Sequence, residues 1–327
     1  MLLYTLCILF AHWTAPRPSK PHSTFVMILP SLFDISTLIH THKAHSHSTN
    51  SELITAISMG KLPSHLPHLL TADTQSGGRG QHGRSWVSPM GNVYLSFYAP
   101  IINPLASLAP TTPHLKRLTG MLSLMVGLFL WQMDSISTLN RLRQAQHLPV
   151  IGVKWANDLG FYHSLGDTPT IGMLPFFKLC GILIEPVMQH STMVGVVIGV
   201  GLNVYNSPVI KDGLYQATSL ASLAEGISFE VPQVHDLYTP MSHAICQALM
   251  HHNMTTDLGG RLSDEFIATF NQAHTLHHAN TAIFAQDDMD TPILQGLCTG
   301  IAPDGTLMLA TASGVRHAFA GMAKRFI

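Results

Sequence analysis

Charge is scarce in this chain. Charged residues make up 11% of its 327 residues, well under the usual quarter. Seventeen basic residues stand against 18 acidic ones, for a formal net charge of −1. So even a balance lacks the basic surface that a nucleic-acid polyanion demands of its main partner. Cysteine is scarce too. Cys7, Cys180, Cys246 and Cys298 stand far apart, no two at metal-ligand or redox spacing. This argues against a disulfide framework and for reduced thiols in a cytoplasmic protein. No basic residue precedes the first apolar stretch, "MLLYTLCILFAHW", which is also too short to span a bilayer. It reads as an N-terminal extension rather than a signal sequence, with Met27 as a later candidate start. "LTGMLSLMVGLFLWQM", residues 118–133, falls short of a spanning helix as well and reads as a buried core helix. No membrane association is expected. Internal repeats, a P-loop and a GxGxxG dinucleotide turn are all missing.

What the chain does have is apolar substance, 46% of its residues, and 21 histidines. The first supports a sizeable core. Among the second, His40, His42, His45 and His47 alternate along one stretch, but no carboxylate or cysteine joins them at regular spacing. They are read as compositional bias, and no metal ligand is assigned. Residues 1–40 are proline-broken and expected to be poorly structured. "STNSELITAI" (48–57) has helical spacing, with Glu52 three residues after Thr49 in capping-box fashion. "HLLTADTQ", "GNVYLSFYA", "VIGVKWAND", "KLCGILIEP" and "MVGVVIGVGLNV" read as strands. Helical spacing returns over about 233–272. The tail carries four short strands, "TAIFA", "ILQGLCTGIA", "GTLMLAT" and "VRHAFA", broken by Pro303-Asp304-Gly305 and Ser313-Gly314. The expected fold is therefore α/β (α+β), a mixed β-sheet flanked by helices and followed by a small β-barrel. The expected units are an extension (1–40), a main domain (41–274) and a C-terminal barrel (275–327).

One loop stands out. "GGRGQHGRSW" (77–86) holds four glycines and two arginines. Glycine lets backbone N–H groups approach a ligand closely, and Arg79 and Arg84 can fork onto phosphate or carboxylate oxygens. Alone, such a loop is often only a solvated turn, and an RNA contact would look similar.

Further segments follow in order: "HSTN", "RSWVSPMGNVYLS", "KWAND", "KLCGILIE" and "GVGLN". Together with the loop they resemble the biotin protein ligases, closely over residues 46–206 and more loosely in the tail. The resemblance implies a biotin/lipoate ligase-like fold, akin to class II aminoacyl-tRNA synthetases, with an SH3-like barrel after it. It implies activation of biotin by ATP to biotinyl-5'-AMP, then transfer to a lysine of the biotin carboxyl carrier protein of acetyl-CoA carboxylase. Mg2+ is implied by the nucleotide. Lys154 and Arg79 are the expected catalytic cations. Ser48, Thr49, Asn50, Gln75, Gly78, Arg79, Gln81, Lys154, Gly181 and Gly199 are expected around biotin. Arg79, Gly80, Gly83, Arg84, Trp86, Lys154, Asn157 and Asn203 are expected around the adenylate. A homodimer is compatible with the resemblance, because family members pair through sheet edges.

The chain also departs from the family pattern. Gln81 stands where the family has arginine, and an amide carries no charge. Either Arg79 and Arg84 suffice, or activated biotin is held loosely and labels bystander lysines. Ala156 replaces the family's proline, Met322 an acidic residue, and residues 159–177 are longer than the family's hairpin, as a surface insertion would be. Taken singly, the motif residues have plainer readings: Ser48 and Thr49 as a helix cap, Trp86 and Trp155 as packing, Lys154 as a solvated charge. Other functions remain open: a lipoate or octanoate ligase of the same fold, a catalytically weak biotin sensor, and a DNA-binding regulator. The last needs a winged helix-turn-helix of roughly 60 residues, more than the proline-broken stretch before "HSTN" offers.

Overall fold

The computed structural model describes residues 33–101, 109, 111–163, 172–210, 215–285 and 288–326. The apolar N-terminal stretch, Met27, Cys7 and most of the 1–40 extension lie outside these residues, as does the middle of the 159–177 segment. The described chain begins with buried Phe33. Its first strand, β1 (Ile39–Ser46), starts two residues ahead of position 41. The histidine stretch is therefore a strand.

The main sheet has eight strands. After β1 come β2 (His68–Gln75), β3 (Val93–Pro100), β4 (Gly152–Lys154), β5 (Asp158–Tyr162), β6 (Phe176–Gln189), β7 (Thr192–Leu202) and the short β8 (Gln216–Ala217). Their order is β1-β2-β3-β7-β6-β5-β4, with β8 beside β6. The β1–β2 and β6–β8 pairs are parallel and the others antiparallel, so the sheet is mixed as expected.

Both faces of this sheet are covered, and the strand pattern follows from that. Leu69, Phe97 and Ile198 join a large core, while Leu70, Tyr98 and Val197 join a smaller one with Leu53 and Ile57 of α1 (Thr49–Ser58). The apolar/polar alternation read in "VYLSFY" is thus an alternation between two cores, and all eight residues of β3 are buried. Tyr98 is tolerated there because its hydroxyl donates to Ser64 O at 2.8 Å. The apolar run becomes α2 (Met121–Trp131), with nine of eleven residues buried, followed by α3 (Asp134–Ala145). Among the described residues no single helix is long and apolar enough to cross a membrane; α2 and α3 pass that test only as a pair bent by 64°.

Two local expectations are corrected. The capping residue of α1 is Ser48, whose Oγ accepts from Ser51 N, rather than Thr49. Glu52 instead reaches back to His47 N at 2.9 Å and to the Ser46 hydroxyl at 2.7 Å. The segment read as helical over 233–272 contains two α-helices. They are α5 (Tyr238–Asp257) and α6 (Asp264–Ala273), separated where Gly259 and Gly260 take φ of 92° and 73°. A one-turn helix, α4 (Leu220–Ala224), precedes them.

The tail folds into a five-stranded antiparallel sheet, consistent with an SH3-like module. It comprises β9 (Asn280–Phe284), β10 (Pro292–Ile301), β11 (Leu307–Thr311), β12 (Gly314–Ala318) and β13 (Met322–Arg325), in the order β12-β11-β10-β9-β13. The last strand was not read from the sequence. Ile301, Leu307 and Leu309 belong to the same apolar cluster as Leu124 and Phe129 of α2. The Trp155 indole donates to Gly305 O at 3.0 Å, tying the turn of this sheet to the end of β4.

Candidate functional site

The glycine loop leaves β2 at Gln75 and folds into a tight hairpin. Gly80 N donates to Arg84 O and Trp86 N to Gly78 O, at 2.7 and 2.8 Å. His82 at its tip takes a left-handed conformation, φ 59°. Beneath the hairpin lies a first cavity. Of the residues expected around biotin, Ser48, Thr49, Asn50, Gln75, Arg79, Gln81, Gly181 and Gly199 line it. Gly78 and Lys154 do not.

A run of hydrogen bonds organises this lining. Thr49 N and Oγ1 donate to Gln75 Oε1 at 2.8 and 3.1 Å. Ser96 Oγ lies 2.8 Å from Thr49 Oγ1 and donates to Asn50 Oδ1 at 2.5 Å. Asn50 Nδ2 in turn donates to Glu185 Oε2 at 3.0 Å, and the Arg79 guanidinium pairs with that same oxygen at 2.7 Å. The glycines explain how so many groups fit. A Cβ on Gly199 would stand 2.3 Å from Asn50 Oδ1, and one on Gly201 2.5 Å from the Trp86 ring. The Trp86 indole lies in this first cavity, with its Nε1 buried and bonded to nothing. The space left is only about 50 Å³.

A second cavity of about 550 Å³ adjoins the first and shares Gln81 and Asn157 with it. Arg84, Lys154 and Lys324 line it against one carboxylate, Asp158, so its charge is mainly positive. Of the residues expected around the adenylate, Arg84, Lys154 and Asn157 line this space, while Arg79, Gly80 and Trp86 line the first. Gly83 lines neither. Asn203 is buried and committed to structure. Its Nδ2 donates to Thr218 O at 3.0 Å, and its Oδ1 accepts from Asn92 at 3.3 Å. Lys324 comes from β13, the strand the sequence did not reveal.

The two cavities meet at a buried charge cluster that sequence reasoning missed. Asp158 pairs with Lys178 at 2.6 Å, and its other oxygen lies 3.9 Å from Lys154. Lys178 lines the first cavity and Lys154 the second. Burial pulls the Lys154 amine down to about 8, which Asp158 offsets only in part. Burial also opposes the charge on Lys178, but its closer Asp158 more than restores it, and the amine sits above the usual lysine value. Lys178 therefore stays a cation, while Lys154 gives up its proton more readily than an ordinary lysine. The signal for Lys178 was present in "KLCGILIE", but its direction was not. An extra residue, Leu179, bulges out of the β5–β6 pairing, where Leu159 faces Cys180 and Gly160 faces Lys178. The bulge turns Lys178 to the side of Gly181, where a Cβ would be 3.2 Å from Lys178 Nζ.

His40, His42 and His45 of β1, and His47 just after it, line neither cavity. His40 and His42 each lie 2.9 Å from Thr71 Oγ1, and His45 lies 3.0 Å from Thr74 Oγ1. Among the described residues no group of three or more His, Cys, Asp or Glu side chains is placed to hold a metal ion. Cys180, Cys246 and Cys298 are buried free thiols.

Residues 46–203 match the model of the Biotin/lipoate A/B protein ligase family. The chain is 31% identical over 180 residues to a biotin–[acetyl-CoA-carboxylase] ligase of Mycobacterium tuberculosis, covering 55% of this chain and 54% of that protein. It is 30% identical over 171 residues to the bifunctional ligase/repressor BirA of Salmonella typhimurium, covering 52% and 42%. It thus spans about half the length of the curated relatives it matches. The fold matches a biotin protein ligase from Aquifex aeolicus solved with biotin and ATP. The TM-score is 0.59 at 19% identity, over 88% of this chain and 99% of that one. It also matches a Leishmania major ligase solved with biotinyl-5-AMP, with a TM-score of 0.50 at 19% identity over 86% and 99%.

Proposed function

From residues 46–203, which form a domain of the Biotin/lipoate A/B protein ligase family, we infer that the chain is a biotin protein ligase. It activates biotin with ATP and passes it to a lysine of a biotin carboxyl carrier protein. The observation that carries this is the pairing of a cavity rich in uncharged hydrogen-bonding groups, which Arg79 and Lys178 also line, with a second cavity lined by Arg84, Lys154 and Lys324, the two joined at the Lys178–Asp158–Lys154 cluster. A ureido ring needs donors and acceptors without charge, which Thr49, Asn50 and Gln75 offer. A triphosphate needs cations, which Arg84, Lys154 and Lys324 offer.

The chemistry follows from that placement. The biotin carboxylate attacks the α-phosphorus, pyrophosphate leaves, and biotinyl-5'-AMP remains. Two anions must meet, so a fixed cation at the junction stabilises the charge that builds up between them. Lys178 takes this role, in place of the Lys154 expected from the sequence, because it lines the cavity assigned to biotin and keeps its proton. Lys154 holds the nucleotide phosphates. In the second step a lysine amine attacks the acyl carbon, AMP departs with the bonding electrons, and the new amide nitrogen releases a proton. The glycine hairpin keeps water from the mixed anhydride meanwhile. The described residues do not form a preformed metal cage. Mg2+, implied by the nucleotide, would have to be held largely by the phosphates, and no step here runs through it.

The carrier of acetyl-CoA carboxylase is proposed as partner from the name of the Mycobacterium relative. A homodimer, a cytoplasmic location, the absence of a nucleic-acid partner and the three-unit division at 40/41 and 274/275 are proposed on the sequence reasoning alone. The test is intact-mass spectrometry of a carrier domain incubated with the protein, biotin, ATP and Mg2+. One added biotin is expected from the wild type. Lipoyl or octanoyl addition to a lipoyl domain instead would move the protein to the sister activity. Bound biotin without transfer would leave a sensor.

A further inference from the structure

A third cavity, of about 480 Å³, opens on the far side of Gln81. It lies between the N-terminus of α2 and the Pro303–Thr306 turn of the C-terminal sheet. Gln81 lines all three cavities. The third shares Trp155, Ala156 and Phe319 with the second, so these residues form the wall between them.

The two sides of that wall differ in charge. The second cavity carries Arg84, Lys154 and Lys324 against a single carboxylate, Asp158, whereas no lysine, arginine or histidine lines the third. The third has one carboxylate, Asp304, at its rim. Asp304 Oδ1 accepts from Thr306 N at 3.0 Å and Thr306 Oγ1 at 2.7 Å, which hold it in place. These hydrogen bonds also keep its carboxyl below the usual range and hence ionised. Two aromatic rings complete the lining. Trp155 is fixed by its bond to Gly305 O, and Phe319 stands 76% exposed at the opening. His317 stands behind Thr306, its Nδ1 2.8 Å from Thr306 Oγ1, and does not line the cavity. A carboxylate, aromatic faces and a lining without lysine or arginine suit a primary ammonium on an apolar stem.

We propose that this third cavity is the entry for the acceptor lysine, with Asp304 and Phe319 receiving its side chain and Gln81 marking the point where it meets the activated acyl group. The assignment rests on the ligase reading above and extends it to the second substrate. An incoming ammonium would be repelled by the three cations of the second cavity, which a nucleotide would in any case fill. From the third it reaches the junction along an uncharged path. There the neutral amine forms the C–N bond, the acyl C–O bond to AMP breaks, and the surplus proton leaves to solvent. An arginine at position 81 would set a cation on that path, and Gln81 does not.

The test separates the two half-reactions in Asp304→Lys and Phe319→Ala. Biotin-dependent ATP–pyrophosphate exchange reads the first step. Single-turnover decay of preformed adenylate reads the second, with a carrier domain as nucleophile and, separately, with hydroxylamine, which is neutral at pH 7. Asp304→Lys is expected to leave exchange and hydroxylamine capture unchanged and to slow transfer to the carrier by about ten-fold or more. Phe319→Ala is expected to slow the same step by a smaller factor. Unchanged carrier transfer would overturn the assignment, as would an equal loss with hydroxylamine or a loss of exchange. No exchange in the wild type would overturn the ligase reading itself.

Discussion

On one side of the Gln81–Asn157 junction, about 50 Å³ remains among groups already bonded to one another. On the other, about 550 Å³ lies open beside Arg84, Lys154 and Lys324. Polar groups in a small buried cavity must be satisfied even when it is empty, so the first cavity binds itself through Gln75, Thr49, Asn50 and Glu185. Of the cations beside the open space, Arg84 and Lys324 keep partial access to solvent, and Lys154 alone is buried. A cavity built for a ureido ring therefore has to be rearranged before it is filled, and an open one beside cations does not. Lys178 and Lys154 repeat the contrast on a smaller scale. The first is locked to Asp158 at 2.6 Å, while the second has the same residue only at 3.9 Å.

The sharpest way to break the comparison is to remove each lysine. Lys178→Ala is expected to lower the rate of adenylate formation by about 10²–10³-fold, the scale for losing one fixed transition-state charge partner. Lys154→Ala should act mainly on the ATP KM. Pyrophosphate exchange measures both, and equal effects would erase the distinction. Next in size is Gly199→Ala. Its Cβ would displace Asn50 from Ser96 and Glu185, and the lost hydrogen bonds are worth roughly 1–3 kcal/mol. Biotin titration calorimetry should show affinity falling by about ten-fold or more with ATP affinity unchanged.

pH sharpens the contrast further. Below about 8 Lys154 is protonated and attracts phosphate; as pH rises through that value the charge is lost. The ATP KM should therefore climb several-fold on the alkaline side, and Lys154→Arg should flatten the profile because a guanidinium keeps its proton. The smallest effect belongs to Glu185→Gln. The Arg79–Glu185 pair is partly exposed, so stability should change by no more than about 1 kcal/mol. Tryptic cleavage at Arg79 and Arg84 should nevertheless quicken as the hairpin loosens.

The sequence made much of this architecture legible where local pattern and tertiary demand agree. The strand His68–Gln75, the separate strands β6 and β7 and the glycine loop were readable from apolar, β-branched runs and turn residues, though neither the β6–β7 pairing nor the loop's hairpin form was. Asn50 and Gly199 came instead from the family resemblance, and the fold sets them against each other in the first cavity. The sequence was silent where the outcome depends on partners far along the chain. β13 has no strong alternation of its own and exists because β9 offers it an edge. Lys178 points into the site only through the bulge at Leu179, which period-two reasoning cannot foresee. Asn203 has the residue type for a ribose contact, but its amide is taken by Thr218 and Asn92, 15 and 111 positions away.

The seating of Trp86 over Gly201 has a kinetic consequence. With biotin in the first cavity, as proposed, its rings and the Trp86 indole would compete for one volume, so ligand would enter only the fraction of molecules whose hairpin has lifted. Apparent affinity is then the intrinsic affinity scaled by that fraction. At high biotin the observed association rate should stop rising with concentration and level off at the rate at which the hairpin opens. Trp86 would thus serve as a clock, setting how often the protein samples its surroundings.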